Sequence, residues 1–339
     1  MTDPNSLCIP RKFRPSWLPP VPALACATLL AVLAPGCGPQ EASGSAPEAA
    51  SAEEVSTQPL AATPLRWAPP VLTNPITLTL GTGRTSNTLD PAKDYIIKLP
   101  RSKKVGSTTF VGGRNIVIIG GHITIPVTSE LGAARRALYI KDATGTVHIE
   151  GVLVDGSGGE ESDALAISAP NAIVQVQNFR VSGLRGSNDG WHADIIQPWG
   201  GVKELRVDRL TGSSHYQGLQ VPIDSAPIGR ATLQNVNLVA LEPLSSTAMG
   251  GYMLWLAHNC NDYPVSLANV YVQPRAGRTL GKSVWPDQGD PACPAVISNN
   301  EASWPGLTIT GKVIGGAPAG GDFVPSGVAG VNYVSPGYQ

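Results

Sequence analysis

Charge is scarce in this chain. Asp, Glu, Lys and Arg make up 14% of its 339 residues and nearly cancel, leaving a formal net charge of −1. That balance excludes the basic surface on which phosphate-backbone recognition depends, so no nucleic-acid partner is expected. Aromatic residues are few as well, at 6%. Leu-rich amphipathic runs are also few, which argues against a helical bundle. Turn formers take their place, with 38 Gly and 31 Pro. Low charge, many turn residues and short apolar segments describe an all-β chain of many short strands.

Long apolar runs are missing too. The segment Ala23–Ala34, ALACATLLAVLA, is too short to cross a bilayer as a stable helix. It follows the basic Arg11, Lys12 and Arg14, and the pair fits a secretory signal over residues 1–36. The sequence LAPGC at Leu33–Cys37 resembles a bacterial lipoprotein lipobox, although Leu33 sits one position too far from the cysteine and Pro35 occupies −2. The resemblance implies lipidation of Cys37 and a membrane partner through that anchor. Gly38 resembles the outer-membrane-sorted class, periplasmic or surface-facing. Plain cleavage and secretion is the alternative. Residues 37–64 are rich in Ala, Ser, Glu and Pro without hydrophobic period, as expected of a disordered tether.

Cysteines are rare beyond this point. Cys8, Cys26 and Cys37 lie in the first forty residues, leaving Cys260 and Cys293. In an exported protein two such cysteines read as one disulfide, with buried free thiols as the alternative. Closing the 33-residue separation would stabilise by roughly 3–4 kcal/mol in the chain-entropy model.

The remainder repeats. One segment type alternates apolar and polar residues around a central Gly, Asn or Arg: IVIIGGHITI, VHIEGVLV, VQVQNFRV, LRVDRLTG, ATLQNVNL, VSLANVYV and LTITGKVI. The central residues are Gly120, Gly151, Asn178, Arg209, Asn235, Asn269 and Gly311, spaced by 31, 27, 31, 26, 34 and 42. A second type lies between them: ALYIK, ALAIS, ADIIQ, GLQVP, MLWLA and AVISN. Two interleaved strand series with a period near thirty describe stacked coils that bury alternate residues on their neighbours. A β-sandwich would not keep two strand types in fixed order, and a propeller blade needs four strands at a longer period.

This pattern resembles the right-handed parallel β-helix (a solenoid) of the pectin-lyase-like superfamily, over residues 105–315. The resemblance is to the architecture. The polygalacturonase-like runs Asn-Thr-Asp, Asp-Asp and Gly-His-Gly are absent, as are the pectate-lyase-like W-x-D-H and R-x-P-x-x-R runs. Residues 65–104 are expected to cap the N-terminal end, residues 128–138 to hold a helical turn or two, and residues 316–339 to form an irregular tail.

Strand alternation assigns faces. In the second series Leu138, Leu165, Leu219 and Leu254 point inward with Ile140, Ile167, Ile196, Val221 and Leu256. Tyr139, Ala166, Ile195, Gln220 and Trp255 point outward, with Lys141, Ser168, Gln197 and Ala257 beside them. The resemblance implies that this outer strip binds extended polysaccharide. Alternation turns His192 and Asp194 inward. They are then either a hydrogen-bonded polar corner, or groups turned outward by a bulge at Trp191–Ala193.

Chemistry on a uronic-acid polymer needs a base and a neutraliser of the carboxylate. His192, His215, Tyr216 and Lys141 are base candidates, and Gln197, Gln217 and Gln220 are amide donors. The catalytic candidates are His192 and Lys141 from this set, with Asp194. Gln197, Trp199, His215, Tyr216, Gln217, Gln220 and Trp255 are the substrate-binding ones. Each aromatic side chain among them could equally pack against a loop. Asp155, Glu160, Glu161, Asp163 and Asp189 could bind Ca²⁺, though acidic turns are commonly just solvated; no other metal or cofactor is expected. His122 and His148 read as polar strand residues, and His258 as part of a loop clamp beside Cys260. Two function classes remain: a uronate polysaccharide lyase, or a non-catalytic module binding glycan or protein through the same face.

Overall fold

The computed structural model describes residues 64–127, 135–221, 226–244 and 251–338. The expected signal segment, Cys37 and almost all of the tether lie outside them, as does most of the stretch expected to turn helically; from Arg136 that stretch is a strand.

The described residues form a parallel β-solenoid with three ladders of stacked strands. The first ladder runs through Ile76, Tyr95, Ile116, Val147, Val174, Leu205, Ala231, Val265 and Ile309. The second runs through Thr108, Leu138, Leu165, Ile196, Leu219, Leu254 and Val284. A third joins Ile123, Val154, Val181, Gly212, Leu238 and Val272. Parallel stacking therefore begins at Ile76, within the segment expected to cap the coils.

The seven central residues of the repeat explain the third ladder. Gly120, Gly151, Asn178, Arg209, Asn235, Asn269 and Gly311 all adopt positive φ, from 50° to 86°. A left-handed residue bends a strand, so each one turns the chain from the first ladder to the third. The strand is interrupted at Gly120, Gly151 and Gly311 and runs on through the bend at Asn178, Arg209, Asn235 and Asn269. Asn tolerates this region, and its amide reaches the corner of the neighbouring coil. Asn269 Nδ2 donates to Asn235 Oδ1 at 3.0 Å, and Asn235 Nδ2 to Asp208 Oδ1 at 2.7 Å.

Leu, Ile and Val of all three ladders meet in one core. Leu138, Leu165, Ile196, Leu219, Leu254 and Val284 are fully buried, opposite Ile118, Ile149, Val176, Val207 and Leu233. Each such side chain contributes about 1.5–3 kcal/mol by leaving water. At the C-terminal end Val296–Ser298 and Glu301–Ser303 reverse through Asn299 and Asn300, both left-handed, and pair antiparallel. Glu301 and Ala302 then pair with Ile314 and Val313, ending the parallel stack.

Among the described residues no strand lies beyond Gly315, and the tail is held closely. It runs back along the corner between the first and third ladders. Arg180 pairs with Asp322 at 2.8 Å, and Val324 N–H donates to Thr211 Oγ1. Further on, Gly330 N–H donates to the Gly151 carbonyl, and Asn178 Nδ2 to Tyr333 Oη at 2.6 Å. Residues 64–68 lie on the same outer face, where Gln177 Nε2 donates to the Trp67 carbonyl and Gln175 Nε2 to the Ala68 carbonyl. Beneath them His148 and Glu150 are fully buried. Gln175 donates to His148 Nδ1, so Nε2 carries the proton and donates to Glu150 Oε2 at 2.9 Å.

Candidate functional site

The outer face of the second ladder is where the rare aromatic residues gather. Its outward row is Thr109, Tyr139, Ala166, Gln197, Gln220, Trp255 and Trp285 in register. Thr109, Tyr139 and Ala166 are buried beneath their neighbours, so solvent reaches the row from Gln197 to Trp285, roughly 14 Å at about 4.8 Å per coil. In the middle Gln197 Nε2 donates to Gln220 Oε1 at 2.6 Å, which leaves the outward amide atoms free for hydroxyl groups.

Aromatic groups close both ends. At the N-terminal end the Arg136 guanidinium lies 4.8 Å from the Tyr139 ring, 5.0 Å from Trp199 and 5.7 Å from Trp191. At the C-terminal end Tyr252, Trp255 and Trp285 lie 5.0–5.6 Å apart by ring centroid, and His258 stacks on Trp255 at 5.9 Å. Cys260 and Cys293 form the expected disulfide, which ties the loop after His258 to the segment beyond Trp285. Asp290 lies beside both sulfurs, completing a potential metal-ligand group whose thiols the disulfide consumes.

Alternation misplaced two residues. Ile195 is not on the outer row but fully buried, its Cδ1 occupying the space a side chain at Gly212 would need. Gln197 instead stands beside Ala166. The cause is a tight turn just before the strand, where Ala193 N–H donates to the Trp191 carbonyl at 2.8 Å. Both Ile195 and Ile196 then face the core.

The same turn separates His192 from Asp194. His192 is exposed, its ring 5.3 Å from that of Tyr216 and its Nε2 3.2 Å from the Asn188 carbonyl. Asp194 is fully buried against Asp163. Neither expected alternative describes this, since the two groups face opposite ways. Lys141 is exposed at the far end of its strand, five residues from Arg136, or roughly 16 Å. It therefore shares no centre with His192 or Asp194.

Of the expected substrate contacts, Gln197, Gln220 and Trp255 lie half-buried on the row, and Trp199 is exposed at its edge. Tyr216 and Gln217 are buried at the corner where strands enter the ladder. Burial, together with the Asp194 and Asp189 carboxylates, pushes the Tyr216 hydroxyl up to about 12. His215 also lies at that corner, Nδ1 bonded to the Glu242 carbonyl. Arg136, Trp191, Tyr252 and Trp285 were not anticipated. Arg136 has the parity of a core residue, but its long side chain curls outward to the rings.

The acidic turns mostly serve their own loops. Asp155 accepts from Ser157, Glu161 from Ser187 and the Trp191 backbone, and Asp189 from Asn188. Asp163 differs: it is fully buried, and burial pushes its carboxyl up to about 6 against the opposing pull of Arg136. Burial and the Asp163 charge push Asp194 well above the usual carboxylate range.

No family model matches this chain, and no curated protein or solved structure matches it.

Proposed function

We propose that this chain is an exported β-solenoid, lipid-anchored through Cys37, that binds an extended polysaccharide along the outer face of its second ladder. The observation that carries this reading is the outer row itself. A hydrogen-bonded Gln197–Gln220 amide pair lies between two aromatic groups. Aromatic faces stack on apolar sugar faces, and amides bond the hydroxyls between them. The part of the row that solvent reaches, roughly 14 Å long with Trp199 exposed at its edge, suits a few units of a linear chain. Membership of the pectin-lyase-like superfamily belongs to the same proposal.

Binding without turnover fits the geometry better than catalysis. His192, Asp194 and Lys141 do not converge, and Asp194 is sealed from solvent. A uronate lyase reading keeps one support, the exposed His192 imidazole beside Tyr216, which would serve as base.

Affinity electrophoresis against a panel of neutral and acidic polysaccharides tests the proposal. Retardation by at least one linear polymer, lost in Trp255→Ala and Gln220→Ala, supports it. Retardation unchanged in both variants, or none across the panel, refutes it. Release of unsaturated sugar, abolished in His192→Ala, would establish the lyase reading instead.

A further inference from the structure

We propose that Asp163, Asp194 and Gln217 form a site for a hard, oxygen-seeking cation, calcium in class, inside the corner where strands enter the second ladder. This site does not depend on the polysaccharide reading.

Register places the three residues on successive coils. Asp163 pairs with Arg136, and the Asp194 carbonyl accepts from Ala164 N–H. One coil on, Ile195 N–H donates to the Gly218 carbonyl and Ile196 pairs with Leu219, which sets Gln217 next to Asp194. Asp163 and Asp194 are fully buried and Gln217 is 4% exposed. Adjacent coils lie about 4.8 Å apart, so side chains on this column can share one ligand.

The column holds more acceptors than donors, the one unpartnered donor beside it being Arg136 Nε among the described residues. Both carboxylate oxygens of Asp194, Asp163 Oδ2 and Gln217 Oε1 are buried with no hydrogen-bond partner among the described residues. Asp163 Oδ1 is already used by Trp191 Nε1 and the Asp194 N–H, each at 3.2 Å. Arg136 Nε approaches Asp163 Oδ2 only to 3.5 Å and makes no hydrogen bond. Its charge offsets one carboxylate and leaves the other uncompensated. A buried, unpaired carboxylate costs several kcal/mol, and orphaned acceptors add to that.

Three remedies exist, and they differ in what they repair. Water satisfies acceptors but leaves the charge. A proton removes the charge, but a carboxylic acid donates once and leaves the other acceptors unfilled. A cation does both, with carboxylate and amide oxygens as ligands and water completing a shell of six to eight. The other charges around the corner are Glu161, held by Ser187 and Trp191 N–H, and Asp189, held by Asn188. Arg278 and Arg275, whose Nη2 donates to the Tyr216 carbonyl, are the cations beyond Tyr216.

The test uses the full chain, stripped with a chelator and titrated with CaCl₂ by calorimetry, beside Tb³⁺ luminescence. Trp191 donates to Asp163, so it should sensitise Tb³⁺ bound there. The expected result is one site, a higher Tm with calcium, and Tb³⁺ emission that calcium competes away. Asp194→Asn should weaken binding at least tenfold. If that variant fails to fold, Gln217→Ala provides the same readout with both carboxylates retained. Failure of calcium to change Tm, or of Tb³⁺ to emit, would overturn the proposal in favour of a shared proton. Binding unchanged in both variants would overturn it as well.

Discussion

The backbone N–H of Asp194 donates to Oδ1 of Asp163 at 3.2 Å, inside a corner from which both side chains are closed to water. Two carboxyls so placed cannot both ionise cheaply, because burial disfavours each charge and each charge disfavours the other. Arg136 relieves Asp163 alone.

In metal-free, chelator-treated solution this pair should make the fold less stable as pH rises. Both folded-state values lie above the unfolded one, so the native chain binds more protons between them. The contribution is complete below about pH 4 and is lost as pH rises through 6 and beyond. For Asp163 alone it is on the order of 2–3 kcal/mol. Asp194→Asn should flatten this slope, with a Tm at pH 8 several degrees above that of the unsubstituted chain. Thermal unfolding from pH 4 to 8 measures it, and a parallel slope in the variant would contradict it.

The left-handed corner predicts a reversal of the usual Gly and Ala ranking. Asn235 has φ of 50° and bonds Asp208 and Asn269 through its amide. Asn235→Ala loses both bonds and keeps a Cβ in the disfavoured region, costing about 2 kcal/mol. Asn235→Gly loses the bonds but relaxes the backbone, so its loss should be smaller. Urea unfolding of the two variants decides the order.

Tyr333 should anchor the returning tail. Its hydroxyl donates to Glu150 Oε1 and accepts from Asn178 Nδ2. Tyr333→Phe leaves a buried carboxylate oxygen and an amide unpaired, at a cost of about 1–3 kcal/mol. Hydrogen exchange should show faster exchange at Gly330 and Tyr333 N–H, whose carbonyl partners are Gly151 and Gly330. Protection equal to that of the unsubstituted chain would refute the anchoring role.

Sequence alternation was enough to find the coils because buried Leu138, Leu165, Leu219 and Leu254 recur at one strand position. The central Gly and Asn residues were visible as a series, but not as corners, since period alone does not report φ. Ile195 was read as outward, and Gln197 stands two residues back in register, beside Ala166 rather than Ser168, because the Trp191–Ala193 turn shifts the chain just before a two-residue strand. Trp285 was missed for a related reason: its strand is two residues long and follows a short 3₁₀ turn. The bonds from Gln175 and Gln177 to residues 66–68, and from Glu150 to Tyr333, span more than a hundred positions and leave no local pattern. The buried Asp163–Asp194 pair was half legible: alternation turned Asp194 inward, but nothing in it set Asp163 and Gln217 alongside.

The most direct measurement is a tryptophan-fluorescence titration of the full chain with the linear polysaccharide that retards it most strongly. It should be run beside Trp199→Ala and Trp255→Ala, which sit at opposite ends of the row. The expected result is quenching in the unsubstituted chain and at least tenfold weaker binding in each variant, with Tm nearly unchanged. Equal affinity in all three proteins would contradict a binding face on the second ladder.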